Sequence, residues 1–100
     1  MKSISIISAS IRNGRNSHRV SLYLKKFLEE KHQLTVSIID LKELDFPLFE
    51  ERLKLIESPT SAMLALADEI IKADGIIVVT PEYNGGYPAS LKNVIDLLYA

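Results

Sequence analysis

Three short apolar runs of strand length alternate with three stretches of helical periodicity, and this alternation narrows the folds open to the chain. The runs are Ser3–Ser8, Thr35–Asp40 and Gly75–Val79. A β-α-β-α-β-α order predicts right-handed crossovers and a parallel sheet with helices on both faces. Because Gly75–Val79 is apolar throughout, we expect this strand to be buried on both faces. The predicted sheet core consists of Ile4, Ile6, Val36, Ile38, Ile77 and Val79.

Each helical stretch carries an apolar stripe that should face the sheet. The first covers residues 17–30 and has Asn16 or Ser17 as its N-cap. The second begins at Ser58 and Pro59, a capping hydroxyl followed by proline at the first helical position. The third begins near Pro88. The stripes are Val20, Tyr23, Leu24, Phe27 and Leu28, then Met63, Leu66, Ala67, Ile70 and Ile71, then Leu91, Val94, Ile95 and Leu98.

The connections between these elements differ in character. Residues 41–57 are expected to form a loop that lies on the core, with a helical turn around residues 50–56. The loop at residues 8–17 is polar, whereas residues 80–88 hold two prolines, two tyrosines and two adjacent glycines. In a doubly wound sheet of order 2-1-3, the loops after strands one and three are neighbours at the ligand-binding edge. The alternative is that residues 80–88 form an ordinary aromatic loop closing over the sheet.

The pattern therefore predicts a doubly wound, flavodoxin-like α/β fold. The last helix reaches Ala100 with its apolar stripe still running, and strand three would be an uncovered edge. We expect residues 1–100 to form a single domain that is the N-terminal part of a longer one, truncated before the later strands.

The loop after strand one has the chemistry of a phosphate site. The hydroxyls of Ser10 and Ser17 and the amide of Asn16 can donate hydrogen bonds, and Arg12 or Arg15 can add a charge-assisted one. The N-terminus of the following helix attracts anions. The loop matches neither G-x-G-x-x-G nor the P-loop pattern, so it suits a single phosphate monoester better than a pyrophosphate. The alternative is a helix cap with solvated arginines.

Composition excludes several kinds of chemistry. The chain has no cysteine, which rules out disulfides and thiolate metal sites and fits a cytoplasmic protein. A net charge of -1 predicts neither a nucleic-acid nor a membrane partner. The first 28 residues nevertheless hold six of the 12 basic residues and none of the 13 acidic ones. His18 and His32 are the only histidines; their positions at the start and just past the end of the first helix predict surface or capping roles, and we expect no metal site.

Short motifs mark the two loops and the start of the last helix. They are Ser10-Ile11-Arg12, Gly14-Arg15-Asn16-Ser17, Pro81-Glu82-Tyr83-Asn84-Gly85, Pro88 and Leu91-Lys92-Asn93. These motifs resemble those of the NADPH-dependent FMN reductase family, a flavodoxin-like group that includes many quinone, azo-dye and chromate reductases. The resemblance runs from strand one through Asn93, with Ala9 where relatives often have glycine. Residues 44–49 also resemble the family, whose later flavin-contacting loop lies beyond residue 100.

This resemblance implies an FMN-dependent NAD(P)H oxidoreductase that reduces quinones, azo compounds, free flavin or metal oxyanions. The cofactors would be FMN and either NADPH or NADH. The flavin itself carries the hydride, so no catalytic side chain is assigned. Gly85 would let the ring approach the backbone, or would only permit a turn. The implied phosphate ligands are Ser10, Arg12, Asn16 and Ser17, with Arg15 as a further candidate, and the implied ring contacts are Pro81, Glu82, Tyr83, Asn84 and Gly85.

Two other functional classes remain open at this point. One is an FMN-binding electron carrier or redox-sensing module without NAD(P)H turnover. The other is a flavin-free domain whose loop binds a different anion. The small net charge favours the reductase, because electron carriers of this fold usually have a strongly acidic docking surface. The expected partners are a small-molecule electron acceptor and further copies of the chain, in a homodimer or homotetramer.

Overall fold

Parallel pairing of three strands builds the fold. A computed structural model describes residues 2–12, 15–44, 53–56 and 59–98. The strand order is β2-β1-β3, with both pairs parallel, so the predicted α/β class and the order 2-1-3 are confirmed. The elements are β1 (Ser3–Ser8), α1 (Asn16–His32), β2 (Thr35–Asp40), short 3-10 helices at Leu41–Glu43 and Leu53–Leu55, α2 (Ser61–Lys72), β3 (Gly75–Val79) and α3 (Ala89–Leu98).

Helices cover both faces of the sheet. Successive strand residues point to opposite faces, and β1 uses both. Ser8 contacts His18 of α1, whereas Ile7 packs in a cluster with Leu66 of α2 and Leu91 of α3. The main apolar cluster therefore lies on the α2–α3 face. It comprises Ile7, Ala9, Ile39, Leu41, Leu66, Leu91 and Val94.

The residues predicted to form the sheet core lie on the face that α1 covers, whereas the main apolar cluster lies on the opposite face. Ile6 and Val36 are buried as expected, but Ile4, Ile38, Ile77 and Val79 are only half-buried. Alternation in β1 cannot by itself distinguish the two faces, because isoleucines occupy positions on both.

Helix α1 is rotated from the predicted orientation. Ser21 is fully buried, while Val20, Tyr23 (65% exposed) and Phe27 face outward. The reason is polar bonding along the opposite stripe. His18 is hydrogen-bonded to Ser8, and Lys25 Nζ donates to the Val36 carbonyl at 3.0 Å. The apolar stripe predicted for α1 was therefore wrong for Val20, Tyr23 and Phe27, because these bonds hold polar residues against the sheet.

Strand β3 is half-buried on one face and exposed on the other. Ile76 and Val78 are 43% and 44% exposed, contrary to the predicted double burial. Within the described residues β3 is the edge strand, paired with β1 alone. The helices on that face pack over Ile7 and Ile39 instead.

The helix starts also differ from the predicted ones. Arg15 occupies the N-cap position of α1 without a capping side-chain bond, because a guanidinium has no hydrogen-bond acceptor to offer the helix N–H groups. Thr60 caps α2 by accepting from the Met63 N–H at 3.2 Å. Pro59 therefore precedes the helix, and Ser58 lies outside the described residues. Of the turn predicted around residues 50–56, residues 53–56 are described, and they contain the 3-10 helix Leu53–Leu55. Residues 50–52, and residues 45–49 of the segment that resembles the family, lie outside the described residues.

The described helices include none long and apolar enough to cross a bilayer.

The Thr60 cap gives a test of the α2 start. Thr60→Ala should lower the free energy of unfolding by about 1 kcal/mol, because the Met63 N–H loses its acceptor. Urea denaturation measures this, with Ser58→Ala as the matched control. A larger loss in Ser58→Ala than in Thr60→Ala would contradict the observed cap.

Candidate functional site

The loops that follow β1 and β3 meet at the carboxyl edge of the sheet. Ala9 N–H donates to the Val79 carbonyl at 3.0 Å, and Ser90 Oγ donates to the Ala9 carbonyl at 3.0 Å. The Arg12 guanidinium lies over the ring of Tyr83, with Cζ 5.9 Å from the centroid, within the range of a cation–π contact. The predicted proximity of the two loops is thus observed.

An open cleft of about 330 Å³ lies between these loops. Among the described residues, its lining contains two arginines, two serines and an asparagine but no carboxylate, so it favours anions. Seven of the ten predicted site residues form this lining. They are Ser10, Arg12, Arg15, Asn16, Ser17, Pro81 and Tyr83.

The N-terminus of α1 adds to the donors of the cleft. Asn16 and Ser17 begin the helix, no acidic residue lies in its first turn, and no side chain caps it. The first N–H groups of a helix lack intrahelical acceptors, and the helix dipole is positive there. Ser10, only 3% exposed, lies on the other side of the same cleft. A phosphate monoester fits this set of donors.

The other three predicted residues, Glu82, Asn84 and Gly85, belong to a tight turn beside the cleft. Tyr83 N–H donates to the Gly86 carbonyl at 2.8 Å, and Gly86 N–H donates back at 3.1 Å. Asn84 and Gly85 both have positive φ, 54° and 81°, which is the geometry of a type I′ turn. The Glu82 carboxylate accepts the Gly85 N–H. The structure therefore places these three outside the lining of the cleft.

An ion pair underlies the cleft. Arg15 donates to Asp40 from both Nη atoms, at 2.6 and 3.1 Å, and its Nη1 also donates to the Ser10 carbonyl at 3.1 Å. Asp40 accepts the Lys42 N–H at 3.0 Å as well. Burial raises the pKa of Asp40, but the bonds from Arg15 and Lys42 outweigh it and leave that pKa below its ordinary value. Asp40 is thus ionised at neutral pH.

His18 extends this arrangement toward the sheet. Ser8 Oγ and His18 Nδ1 are hydrogen-bonded at 2.7 Å, and His18 Nε2 lies 3.8 Å from Asp40 Oδ2. We had expected a surface or capping role for His18, and neither Asp40 nor Ser8 was among the predicted site residues. The position of Asp40 could have indicated its place in the site, because Asp40 ends β2 at the same edge of the sheet as the two loops.

An α/β fold with an anion cleft at the carboxyl edge of a parallel sheet defines a class of ligand-binding domain. Within that class, the chain belongs to the NADPH-dependent FMN reductase family, whose model matches residues 2–100. The family resemblance expected from the two loop motifs is confirmed.

Individual relatives agree with this membership. The chain is 35% identical over 109 residues to the NAD(P)H-dependent FMN reductase LOT6 of Saccharomyces cerevisiae, covering 96% of this chain and 57% of that protein. It is 30% identical over 95 residues to a quinone reductase of Pseudomonas putida, covering 95% and 48%.

Among solved structures, the flavoenzyme NAD(P)H:(acceptor) oxidoreductase FerB of Paracoccus denitrificans superposes with a TM-score of 0.78 at 29% identity, covering 97% of this chain and 50% of that one. The chain therefore spans about half the length of these relatives.

The type I′ turn predicts different effects for its two glycines. Gly85→Ala should lower stability by about 1 kcal/mol, because an alanine is strained at positive φ. Gly86→Ala is the matched control, since its Cβ would meet only Tyr83 O at 3.9 Å. Thermal unfolding of both variants measures the effect. Equal losses in the two would contradict the turn assignment.

The ion pair predicts a pH-dependent stability. Asp40→Asn should lose about 1.5–3 kcal/mol at neutral pH, the contribution of a charged hydrogen bond. A carboxylate with a lowered pKa stabilises the fold above its unfolded-state pKa, and this contribution disappears as pH falls through the folded-state pKa. Among the described residues, Arg15 and the titratable His18 face Asp40, and Glu43 lies near Arg15.

Urea denaturation across pH should therefore show the wild type and Asp40→Asn converging below about pH 4. Asp68→Asn is the control, because its pair with Lys72 is exposed and contributes little. Equal stability of the wild type and Asp40→Asn at neutral pH would remove the role assigned to the pair.

Proposed function

We propose that the protein is an FMN-dependent NAD(P)H oxidoreductase that reduces small acceptors such as quinones, azo compounds, free flavin or metal oxyanions. The observation that carries the proposal is the cleft at the switch point of the sheet, which described residues line with hydroxyls, an amide and two arginines. The relatives named as FMN and quinone reductases support it. FMN, when bound, would accept a hydride from NADPH or NADH and pass electrons to the acceptor.

The residues of the first loop would bind the phosphate. Ser10, Asn16 and Ser17 supply neutral donors, and Arg12 supplies a cation at the cleft wall. Arg12 also touches the Tyr83 ring, so one side chain joins the phosphate end of the cleft to its aromatic end. A single monoester site of this kind favours FMN over FAD.

The residues of the second loop would orient the isoalloxazine ring. Pro81 and Tyr83 line the cleft and offer flat apolar surface. Glu82, Asn84 and Gly85 form the adjoining turn, where the Glu82 carboxylate holds the Gly85 N–H. A Cβ at Gly85 would meet nothing within 4 Å, which leaves room for a flat group beside the backbone.

Three further assignments are part of the proposal. Residues 1–100 would be the N-terminal part of a longer domain, as the half-length match to relatives suggests. The absence of cysteine supports a cytoplasmic location. The outward-facing Tyr23 and Phe27 of α1 support assembly into a homodimer or homotetramer.

The absorption spectrum of the purified protein and its oxidation of NADPH and NADH with a quinone test the function. Bound FMN with turnover is the expected result. FMN without turnover would indicate an electron carrier or redox sensor instead. Absence of flavin binding, in this chain and in any longer chain that contains it, would contradict the proposal. Chromatography of the released cofactor distinguishes FMN from FAD.

Arg12→Ala should weaken FMN binding about tenfold to hundredfold, the equivalent of one charged hydrogen bond. Lys26→Ala is the matched control, because it removes the same charge from the exposed surface of α1. Fluorescence titration with FMN measures both. Equal affinities in the two variants would contradict the assignment of the phosphate to the first loop.

A further inference from the structure

Arg15 faces the protein rather than the solvent. Its guanidinium grips both carboxylate oxygens of Asp40 and the carbonyl of Ser10. The side chains of Arg15 and Asp40 are only 16% and 10% exposed. A guanidinium in this forked geometry is held in a fixed orientation. Arg15 borders the cleft, yet its hydrogen bonds are directed to its own chain.

These bonds join three separate segments. Ser10 belongs to the loop after β1, Arg15 precedes the first turn of α1, and Asp40 ends β2. Asp40 is itself fixed by the Lys42 N–H. The start of α1 is held a second time by the bond between His18 and Ser8. The spacing between Ser10 and the first residues of α1, which together line the cleft, is therefore set by this clamp.

The charges around the cleft also indicate that Arg15 is directed to its own chain. Asp40 is a carboxylate beside an anion site, where a negative charge alone would repel a phosphate. Its pairing neutralises Arg15 locally. Arg12, in contrast, is exposed over the Tyr83 ring and forms no ion pair with a carboxylate in the described part of the chain. The two arginines of one loop thus differ in what they contact.

We propose that Asp40 and Arg15 are positioning residues, whose ion pair holds the first loop against the start of α1 in the geometry that receives the flavin phosphate. Arg12, and not Arg15, is then the arginine that contacts the phosphate. The inference rests on the proposed function, since it concerns the same cleft.

If Arg15 contacts the phosphate directly, Asp40→Ala should change FMN affinity in one direction; if the ion pair positions the loop, the change should be in the opposite direction. If Arg15 were a direct phosphate ligand, Asp40→Ala would free its charge and FMN would bind more tightly. If the pair positions the loop, Asp40→Ala and Arg15→Ala should each weaken FMN binding about tenfold, as for one lost charged hydrogen bond. The double variant should then bind no more weakly than either single variant, because both remove one interaction.

Riboflavin, which lacks the phosphate, separates positioning from general damage. Its affinity should be the same in the wild type and in both single variants. Asp74→Ala is the matched control, because it removes one carboxylate at the opposite end of β1, where Asp74 accepts the Ser3 N–H at 2.8 Å. FMN binding as tight as wild type in Asp40→Ala, or an equal loss of FMN and riboflavin, would overturn the inference.

Hydrogen exchange of the flavin-free protein provides a readout that needs no ligand. The amide of Ala9, which donates to the Val79 carbonyl, and the amides of residues 19–21, which begin the hydrogen-bonded part of α1, should exchange faster in Asp40→Ala and Arg15→Ala but not in Asp74→Ala. Unchanged exchange would overturn the clamp itself. A faster-exchanging loop in a protein that takes up no FMN would instead overturn the proposed function and keep the clamp. Asp40→Asn and Arg15→Lys replace the alanine variants if either fails to fold.

Discussion

The parallel pairing of β1 with a strand on each side determines where the rest of the described chain lies. With β2 and β3 as its neighbours, all three strands end at the same edge. The loop that leaves β1 is consequently bounded by Val79 on one side and Asp40 on the other, and it bonds to both ends, through Ala9 and through Arg15. Strand order brings distant parts of the sequence together at this edge. Hydroxyls, guanidinium groups and an aromatic loop lie there because each follows the end of a neighbouring parallel strand.

Strand bounds could be predicted from the sequence because apolar runs locate the strands, and strand order could be predicted because alternating strands and helices favour a doubly wound parallel sheet. The face of α1 could not. Periodicity assigns Val20, Tyr23 and Phe27 inward because they are apolar, yet they are exposed. The buried stripe passes through Ser21, flanked by the bonds of His18 and Lys25 to the sheet. Such bonds depend on which strand atoms lie opposite the helix, and no local pattern contains that information.

The candidate site was predictable to a similar degree. Topology and residue chemistry brought the two loops together, and the cleft between them is lined by residues of both. The role of Asp40 could not be predicted, because basic and hydroxyl residues indicate an anion site and an acidic residue does not. The dipeptide Asn84-Gly85 is itself a predictor of a type I′ turn, because Asn-Gly is the preferred pair for that turn. The positive φ angles of both residues agree with it.

The pairing of Arg15 with Asp40 limits how the cleft would balance the phosphate of the proposed FMN. A phosphate monoester carries a charge of about −1.5 to −2 at neutral pH, whereas the pair contributes almost no net charge and Arg12 contributes one positive charge. The remaining stabilisation must come from neutral donors, which are the hydroxyls of Ser10 and Ser17, the amide of Asn16 and the first N–H groups of α1. Hydrogen bonds to neutral donors weaken steeply when distance and angle change, whereas the attraction of a free cation falls only gradually with distance. A cleft of this composition therefore depends more on the fixed spacing of its loop and helix than on its number of charges.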